Sequence, residues 1–288
     1  MTPLILPFAE RLGRYALHRR GVISRSVATP SGPLHVYDAK GTGTLPTIVL
    51  LHGIGSAATP FGPVLTRLLR HSRRVVAPDY PGHGFSAAPT SRLTMEALET
   101  ALGTALAALE LEPAILVGNS LGGALALRYA IARPERVRAL VLLSPAGAQM
   151  ADGEWEALKK SFALASRADA LAFVRRIYHR PSWLAGAVMS RELPLLMSRP
   201  AIQDLLASAT PEHATPPEAL GALAMPILLS WGRSERLLPP SCLAYFKAHL
   251  PRHALVEEPT GFGHCPHFDD PAALARRIVS FARTLLIN

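Results

Sequence analysis

Two cysteines, Cys242 and Cys265, are all that the chain of 288 residues contains, so no disulfide framework holds it together and a reducing compartment is expected. Lysine is almost as scarce. Lys40, Lys159, Lys160 and Lys247 are the full set, so the net charge of +9 rests on arginine. Those arginines are dispersed along helix-like segments, as at Arg67, Arg70, Arg73 and Arg74, and no basic block interleaved with aromatics occurs. Nucleic acid is therefore not expected as a partner. No apolar run approaches the ~18–20 residues of a membrane-spanning helix. No period of about 20 to 50 residues marks a solenoid or propeller. The apolar opening of the chain precedes its basic residues, the reverse of a secretory signal, and a cytoplasmic location is expected.

What is present is apolar residues, 49% of the total, against 18% charged, the balance of a well-buried globular chain. Residues 22–29 and 34–38, joined by the turn Pro30-Ser-Gly-Pro33, and the apolar runs at 47–51, 74–78, 114–117 and 139–143 read as strands. Between them, 61–70, 94–110 (with Thr94 as N-cap) and 121–132 read as helices. Strands alternating with helices imply right-handed crossovers and a mostly parallel, doubly wound sheet covered on both faces. The rhythm breaks after Leu143. From 148 to 224 only helical patterns occur, at 154–166, 169–179, 182–196 and 201–209, punctuated by prolines. It resumes with strands at 226–231 and 254–257 and helices at 240–249 and 271–285. The expected organisation is an α/β core of 22–147 and 225–288, carrying a helical cap inserted at 148–224. Residues 1–21 form a basic N-terminal arm, in which Phe8, Leu12, Tyr15 and Ala16 recur at helical spacing among Arg11, Arg14, His18, Arg19 and Arg20. A short helix or arm packed on the body is the first reading of it. Contact with an anionic membrane surface is the second.

Gly118-Asn119-Ser120-Leu121-Gly122 matches the G-x-S-x-G nucleophile elbow, with a strand before it and a helix after it. A serine hydroxyl needs a base beside it to attack at neutral pH. His264, in a glycine-flanked loop after the last strand, is the expected base, with His267 as its rival. The base needs an acid to hold its tautomer, and elbow hydrolases place that acid between serine and histidine in the chain. Glu235, directly after the strand at 226–231, takes that role, the alternative being a Ser120–His264 dyad. Attack on a carbonyl creates an oxyanion that preorganised donors must meet. The backbone N–H of Leu121 is one expected donor. That of Ile54, in the loop His52-Gly53-Ile54-Gly55-Ser56, is the other, with His52 shaping the loop.

These residues resemble the capped members of the α/β-hydrolase superfamily. The likeness rests on His52-Gly53, Asp79-Tyr-Pro-Gly-His-Gly-Phe-Ser86, the 118–123 elbow, Trp231-Gly-Arg-Ser-Glu235 and Gly263-His264-Cys-Pro. It covers about residues 22 to 286, and it implies that the turn at 79–86 is structural. Two departures stand out. The family's usual acid is aspartate where Glu235 stands, although some esterases of this fold use glutamate. The elbow is also similar to that of carbon–carbon bond hydrolases of ring-cleavage products. Those typically have tryptophan after the catalytic histidine and a glycine-rich oxyanion loop, where Cys265 and Ile54 stand here. The dehalogenase and epoxide-hydrolase branches attack with aspartate and are disfavoured.

The expected protein is thus a serine hydrolase of a small, largely apolar ester, working through an acyl-enzyme and requiring neither metal nor organic cofactor. Trp155, Phe162, Phe173, Tyr178, Trp183 and Met189 are available to wall an apolar pocket. The alternatives are a carbon–carbon hydrolase and a non-catalytic ligand-binding use of the fold.

Overall fold

The computed structural model describes residues 3–286, so the first two residues of the N-terminal arm and the last two of the chain lie outside it. Helix α1 (Ile5–His18) is followed by strands β1 (Ile23–Val27), β2 (Leu34–Lys40) and β3 (Ile48–Leu51), helix α2 (Gly62–Leu68) and strand β4 (Arg74–Pro78). Helix α3 (Met95–Ala108), strand β5 (Ala114–Asn119), helix α4 (Leu121–Ala132) and strand β6 (Val137–Leu143) come next. A wholly helical stretch intervenes, α5 (Asp152–Ser161), α6 (Arg167–Ile177), α7 (Trp183–Met197), α8 (Pro200–Ser208) and α9 (Pro217–Gly221). The chain then returns through β7 (Ile227–Ser230), α10 (Pro240–His249), β8 (Leu255–Glu257), α11 (Pro266–Asp269) and α12 (Pro271–Thr284).

Among the described residues the strands form one eight-stranded sheet in the order β1-β2-β4-β3-β5-β6-β7-β8. Only β2 runs against its neighbours; from β4 to β8 every pairing is parallel. The continuous apolar runs are explained by burial on both faces. Along β5, Ala114 and Leu116 join the core under α3, α4 and α10, whereas Ile115 and Val117 join the opposite core under α2 and α12. The helices between β6 and β7 pack a third, smaller cluster of Phe173, Val174, Ile177, Leu193, Met197 and Ile202, which takes in Leu237 and touches Ile54 and Cys265.

Element boundaries follow local chemistry. Thr94 caps α3 as expected, its side chain accepting from the Ala97 N–H. The helix expected over 154–166 instead ends at Ser161, because Ser166 starts the next one. Ser166 Oγ accepts from the Asp169 N–H at 3.1 Å, and Asp169 Oδ2 accepts from the Ser166 N–H at 2.9 Å, a reciprocal capping box. Two short proline-initiated helices, α9 and α11, were not expected from the sequence.

Helix α1 packs on the body, but through the face opposite to its apolar stripe. Leu17 is its buried residue; Leu6, Glu10, Gly13 and Arg14 are half-buried on the same side, with the Arg14 guanidinium 4.0 Å from the Phe85 ring centroid. Its N-terminus is held by Glu192 of α7, whose Oε2 accepts from the N–H groups of Leu4, Ile5 and Leu6 at 2.8, 2.9 and 3.2 Å. That carboxylate is buried, and three amides at a helix N-terminus are the environment that tolerates it. Among the described residues no helix is long and apolar enough to cross a membrane.

Burial, and then the nearby Asp79, push the Glu10 carboxyl from 4.5 up to about 7. Its folded-state affinity for a proton exceeds that of the unfolded chain, so its contribution to stability is present below the lower value and is lost as pH rises through the higher. A Glu10→Gln variant should therefore match the wild type in Tm near pH 4 and exceed it by about 2 °C or more at pH 8. Thermal scans at both values check this, and an advantage independent of pH refutes it.

Candidate active site

The C-terminal edge of the sheet is where the chain turns sharply between β5 and α4. Ser120 sits in that turn with φ 53° and ψ −118°, a conformation that side chains other than glycine rarely adopt. The turn is possible because helix and sheet almost touch. A Cβ at Gly118 would lie 2.2 Å from the Gly122 carbonyl oxygen, and one at Gly122 would lie 2.2 Å from that of Leu51. Ser120 is pinned through its own backbone, its N–H donating to Leu143 O and its carbonyl accepting from Ala146 N–H.

Ser120 and His264 share the wall of one cavity of about 80 Å³. His264 Nδ1–H donates to Glu235 Oε2 at 2.7 Å, with both side chains 3% exposed. The other oxygen, Glu235 Oε1, accepts from the N–H groups of Leu237 and Leu238 at 2.7 and 3.0 Å. Burial works against the charge on Glu235. The adjacent His264 and the hydrogen bonds to the carboxylate outweigh it and hold the acid below its ordinary value. Glu235 therefore reaches His264 Nδ1 with the side chain it has, extra methylene included. Among the described residues no hydrogen bond joins Ser120 Oγ to His264, a contact that in ligand-free sites often forms only once substrate is present.

The loop at 53–56 lines the same cavity, and a side-chain carbon at Gly53 would stand 3.4 Å from Ser120 Cβ. His83 Nε2 accepts the Gly55 N–H at 3.3 Å, and the Ser56 N–H goes to Gly53 O. Neither the Ile54 nor the Leu121 amide donates to an acceptor among the described residues, and Leu121 opens α4, where helical amides have no partner of their own. His52 shapes this loop. Its Nδ1–H donates to Gly53 O at 2.8 Å, its Nε2 accepts the Tyr80 N–H, and its ring lies 3.9 Å from that of Tyr80. Burial keeps it neutral by lowering its pKa.

His267, the rival base, does not line the cavity. It is fully buried, stacked 4.2 Å from Phe61, and burial, together with His264 and His52, takes it down to about 3. Phe162, Phe173, Tyr178 and Met189 line the cavity as expected, with Ile177, Leu193, Met197, Leu237, Cys265 and Phe268. Trp183 does not, standing 84% exposed. Trp155 lines a second, apolar cavity of about 110 Å³ with Met95, Met150, Leu158 and Leu121, where Arg128 is ion-paired to Glu99. No cluster of metal-ligating side chains occurs among the described residues.

Sequence reasoning missed Asn119 and His83. Asn119 Nδ2 donates to Leu143 O at 3.0 Å and to His264 O at 2.7 Å, tying the histidine loop to the sheet. The signal was its place inside the elbow. His83 Nδ1–H donates to Pro81 O, and burial, then His52, lowers its pKa to about 3, leaving Nε2 free to accept from the 53–56 loop. Its signal was the turn at 79–86.

A family model for the α/β hydrolase fold matches residues 46–271. A 2-hydroxymuconate semialdehyde hydrolase of Pseudomonas sp. (strain CF600) is 32% identical over 80% of this chain and 83% of its own length. The pimeloyl-[acyl-carrier protein] methyl ester esterase of Xanthomonas campestris pv. campestris is 30% identical over 86% of this chain and 99% of its own. In three dimensions, a carboxylesterase of Bacillus subtilis superposes with a TM-score of 0.76 at 20% identity, covering 96% of this chain and 98% of that one.

Because a methyl group at Gly122 would meet backbone rather than a movable side chain, Gly122→Ala should destabilise the fold by about 3 kcal/mol or more. Denaturant titration measures this, and a loss under about 1 kcal/mol would show that the helix can back away from the sheet.

Proposed function

The chain belongs to the α/β-hydrolase family, and from that premise we propose that it is a serine hydrolase cleaving a small, largely apolar carboxylic ester through an acyl-enzyme on Ser120. The observation that carries the reading is the 2.7 Å contact between His264 Nδ1 and Glu235 Oε2, on a histidine that shares an apolar cavity with a strained serine.

In this reading His264 Nε2 removes the Ser120 proton as Oγ attacks the carbonyl carbon. Glu235 holds the imidazole by Nδ1–H and stabilises the imidazolium. The amides of Ile54 and Leu121 meet the oxyanion. The tetrahedral intermediate collapses, His264 returns the proton to the departing alkoxide, and water activated by the same histidine releases the acid and regenerates Ser120. Residues 148–224 act as the cap, with Phe162, Phe173, Met189, Leu193 and Met197 walling a pocket for a modest acyl or alcohol group. Neither metal nor organic cofactor enters these steps.

The relative from Pseudomonas favours a second reading, carbon–carbon hydrolysis of a ring-cleavage product. A dienoic acid carries a carboxylate, however, and no arginine or lysine lines the Ser120 cavity among the described residues. Desolvating such a group there lacks a cationic partner, which supports the neutral ester. Turnover of p-nitrophenyl butyrate against that of a dienoic ring-cleavage product separates the two. Clear preference for the dienoic acid would overturn the esterase reading.

A fluorophosphonate probe should label the wild type and not Ser120→Ala. A folded wild type that never labels points to a non-catalytic, ligand-binding use of the fold. Glu235→Gln keeps the size of the side chain but presents a donor to His264 Nδ1 and favours the wrong tautomer. It should lower kcat by about 10²- to 10⁴-fold with little change in Tm. Full activity in that variant would place the acid elsewhere.

A further inference from the structure

Helix α1 turns its apolar side outwards. Phe8, Leu12 and Tyr15 stand 67%, 58% and 61% exposed, and Leu4 and Ile5 extend the same stripe towards the N-terminus. Residues at this spacing share one side of a helix, so the stripe runs for about 16 Å along it. The side chains that meet the body include Glu10 and Arg14, the polar ones. Arg11 and His18 flank the stripe, Arg19 and Arg20 follow it, and all four are exposed. From Leu4 to Arg20 the one acid is Glu10, and it faces inwards.

We propose that this face lies in the interface of an anionic lipid bilayer, with acyl chains against Phe8 and Leu12 and headgroup phosphates against the arginines. An aromatic and aliphatic stripe bordered by cations on a short helix has the chemistry of an interfacial anchor. A second copy of this chain fits poorly. Pairing two such helices would bring Arg11, His18 and Arg19 of both copies together without an acid, and one helix face falls far short of the ~800 Å² per partner of a stable interface. The helix that carries the stripe also rests on an element that lines the candidate cavity. Its first turn hangs from Glu192 of α7, and the next residue, Leu193, lines the Ser120 cavity. The same helix opens with Trp183 and Leu184, both exposed.

The test is co-sedimentation of the full chain with vesicles of phosphatidylcholine alone and of phosphatidylcholine mixed with phosphatidylglycerol. The wild type should bind the anionic vesicles at least about tenfold more tightly than the neutral ones, with the preference shrinking in high salt. Ser120→Ala should bind equally, so the result stands apart from the esterase reading. Phe8→Glu/Leu12→Glu should abolish binding while leaving hydrolysis of a dissolved ester unchanged. Phe8→Ser/Leu12→Ser, which adds no charge, should weaken it by about tenfold or more. Arg11→Glu/Arg19→Glu should erase the preference for anionic lipid. A wild type that sediments with neither vesicle, or a double glutamate variant that binds as well as the wild type, overturns the proposal. So does a concentration-dependent dimer, without vesicle binding, that the same variant dissolves.

Discussion

The closeness of α4 to the sheet is the constraint on which the rest depends. With Gly118 and Gly122 in place, helix and strand meet at backbone contact, and the only path left for the chain between them passes through the positive φ of Ser120. Strain of that kind, of order 1–3 kcal/mol, persists only when the surroundings over-determine it. Here they do. Ser120 N–H is committed to β6 and Ser120 O to the segment that follows β6, so the residue cannot relax without breaking the centre of the sheet. Rigidity in the most buried part of the fold thus fixes the position of one hydroxyl at its edge.

A buried polar network then brings the other groups to that edge. Asp79 is fully buried, yet its carboxylate is fully engaged. Oδ2 accepts from His35 Nδ1–H at 2.8 Å and the Phe85 N–H at 3.0 Å, and Oδ1 accepts from the Ala58 N–H at 2.7 Å. One side chain therefore joins β2, the segment between β3 and α2, and the turn at 79–86. His52 and His83, both neutral, complete the support, and an unpaired group in such a place would cost more than the network returns. Beside the serine, Asn119 ties the His264 loop to the strand that presents Ser120. Neither support needs to touch a substrate to matter, since each sets the position of a group that would.

Much of this was legible in the sequence because strong local signals agreed with the tertiary fold. The bounds of β4, α4 and α10 are those the pattern predicts, since an apolar run, an elbow and a double proline each end abruptly. Ser120, His264 and Glu235 were singled out because the expected chemistry demands particular residues in a particular chain order, and the structure brings His264 against Glu235 and Ser120 into the same cavity as His264. What was missed depends on a side chain's partner rather than on its own pattern. Asn119 reads as a neutral position until His264, 145 residues away, supplies its acceptor. Ser166 reads as the end of one helix unless Asp169 is recognised as the other half of a capping box. Periodicity found α1 but could not tell which side of it faces the body, because the decision lies with the partners of its inward side chains, such as Phe85 beneath Arg14, which are far along the chain.

That decision is unusual enough to need a cause. Leaving Phe8, Leu12 and Tyr15 outside forfeits about 1.5–3 kcal/mol for each side chain that could have been buried. Turning Glu10 inwards adds a further cost, which shows as its raised pKa. Rolling α1 by half a turn would recover the apolar burial. It would also remove Arg14 from the ring of Phe85, which belongs to the turn that Asp79 organises, and would withdraw Leu17 from the core. The three amides held by Glu192 fix the start of the helix but not its rotation, because they point along the axis. Rotation is therefore chosen by the few inward side chains, and their contacts are modest beside the apolar surface given up. A helix so arranged is poorly optimised for water alone, and it becomes consistent once the medium facing Phe8 and Leu12 is itself apolar and the medium facing Arg11 and Arg19 carries negative charge.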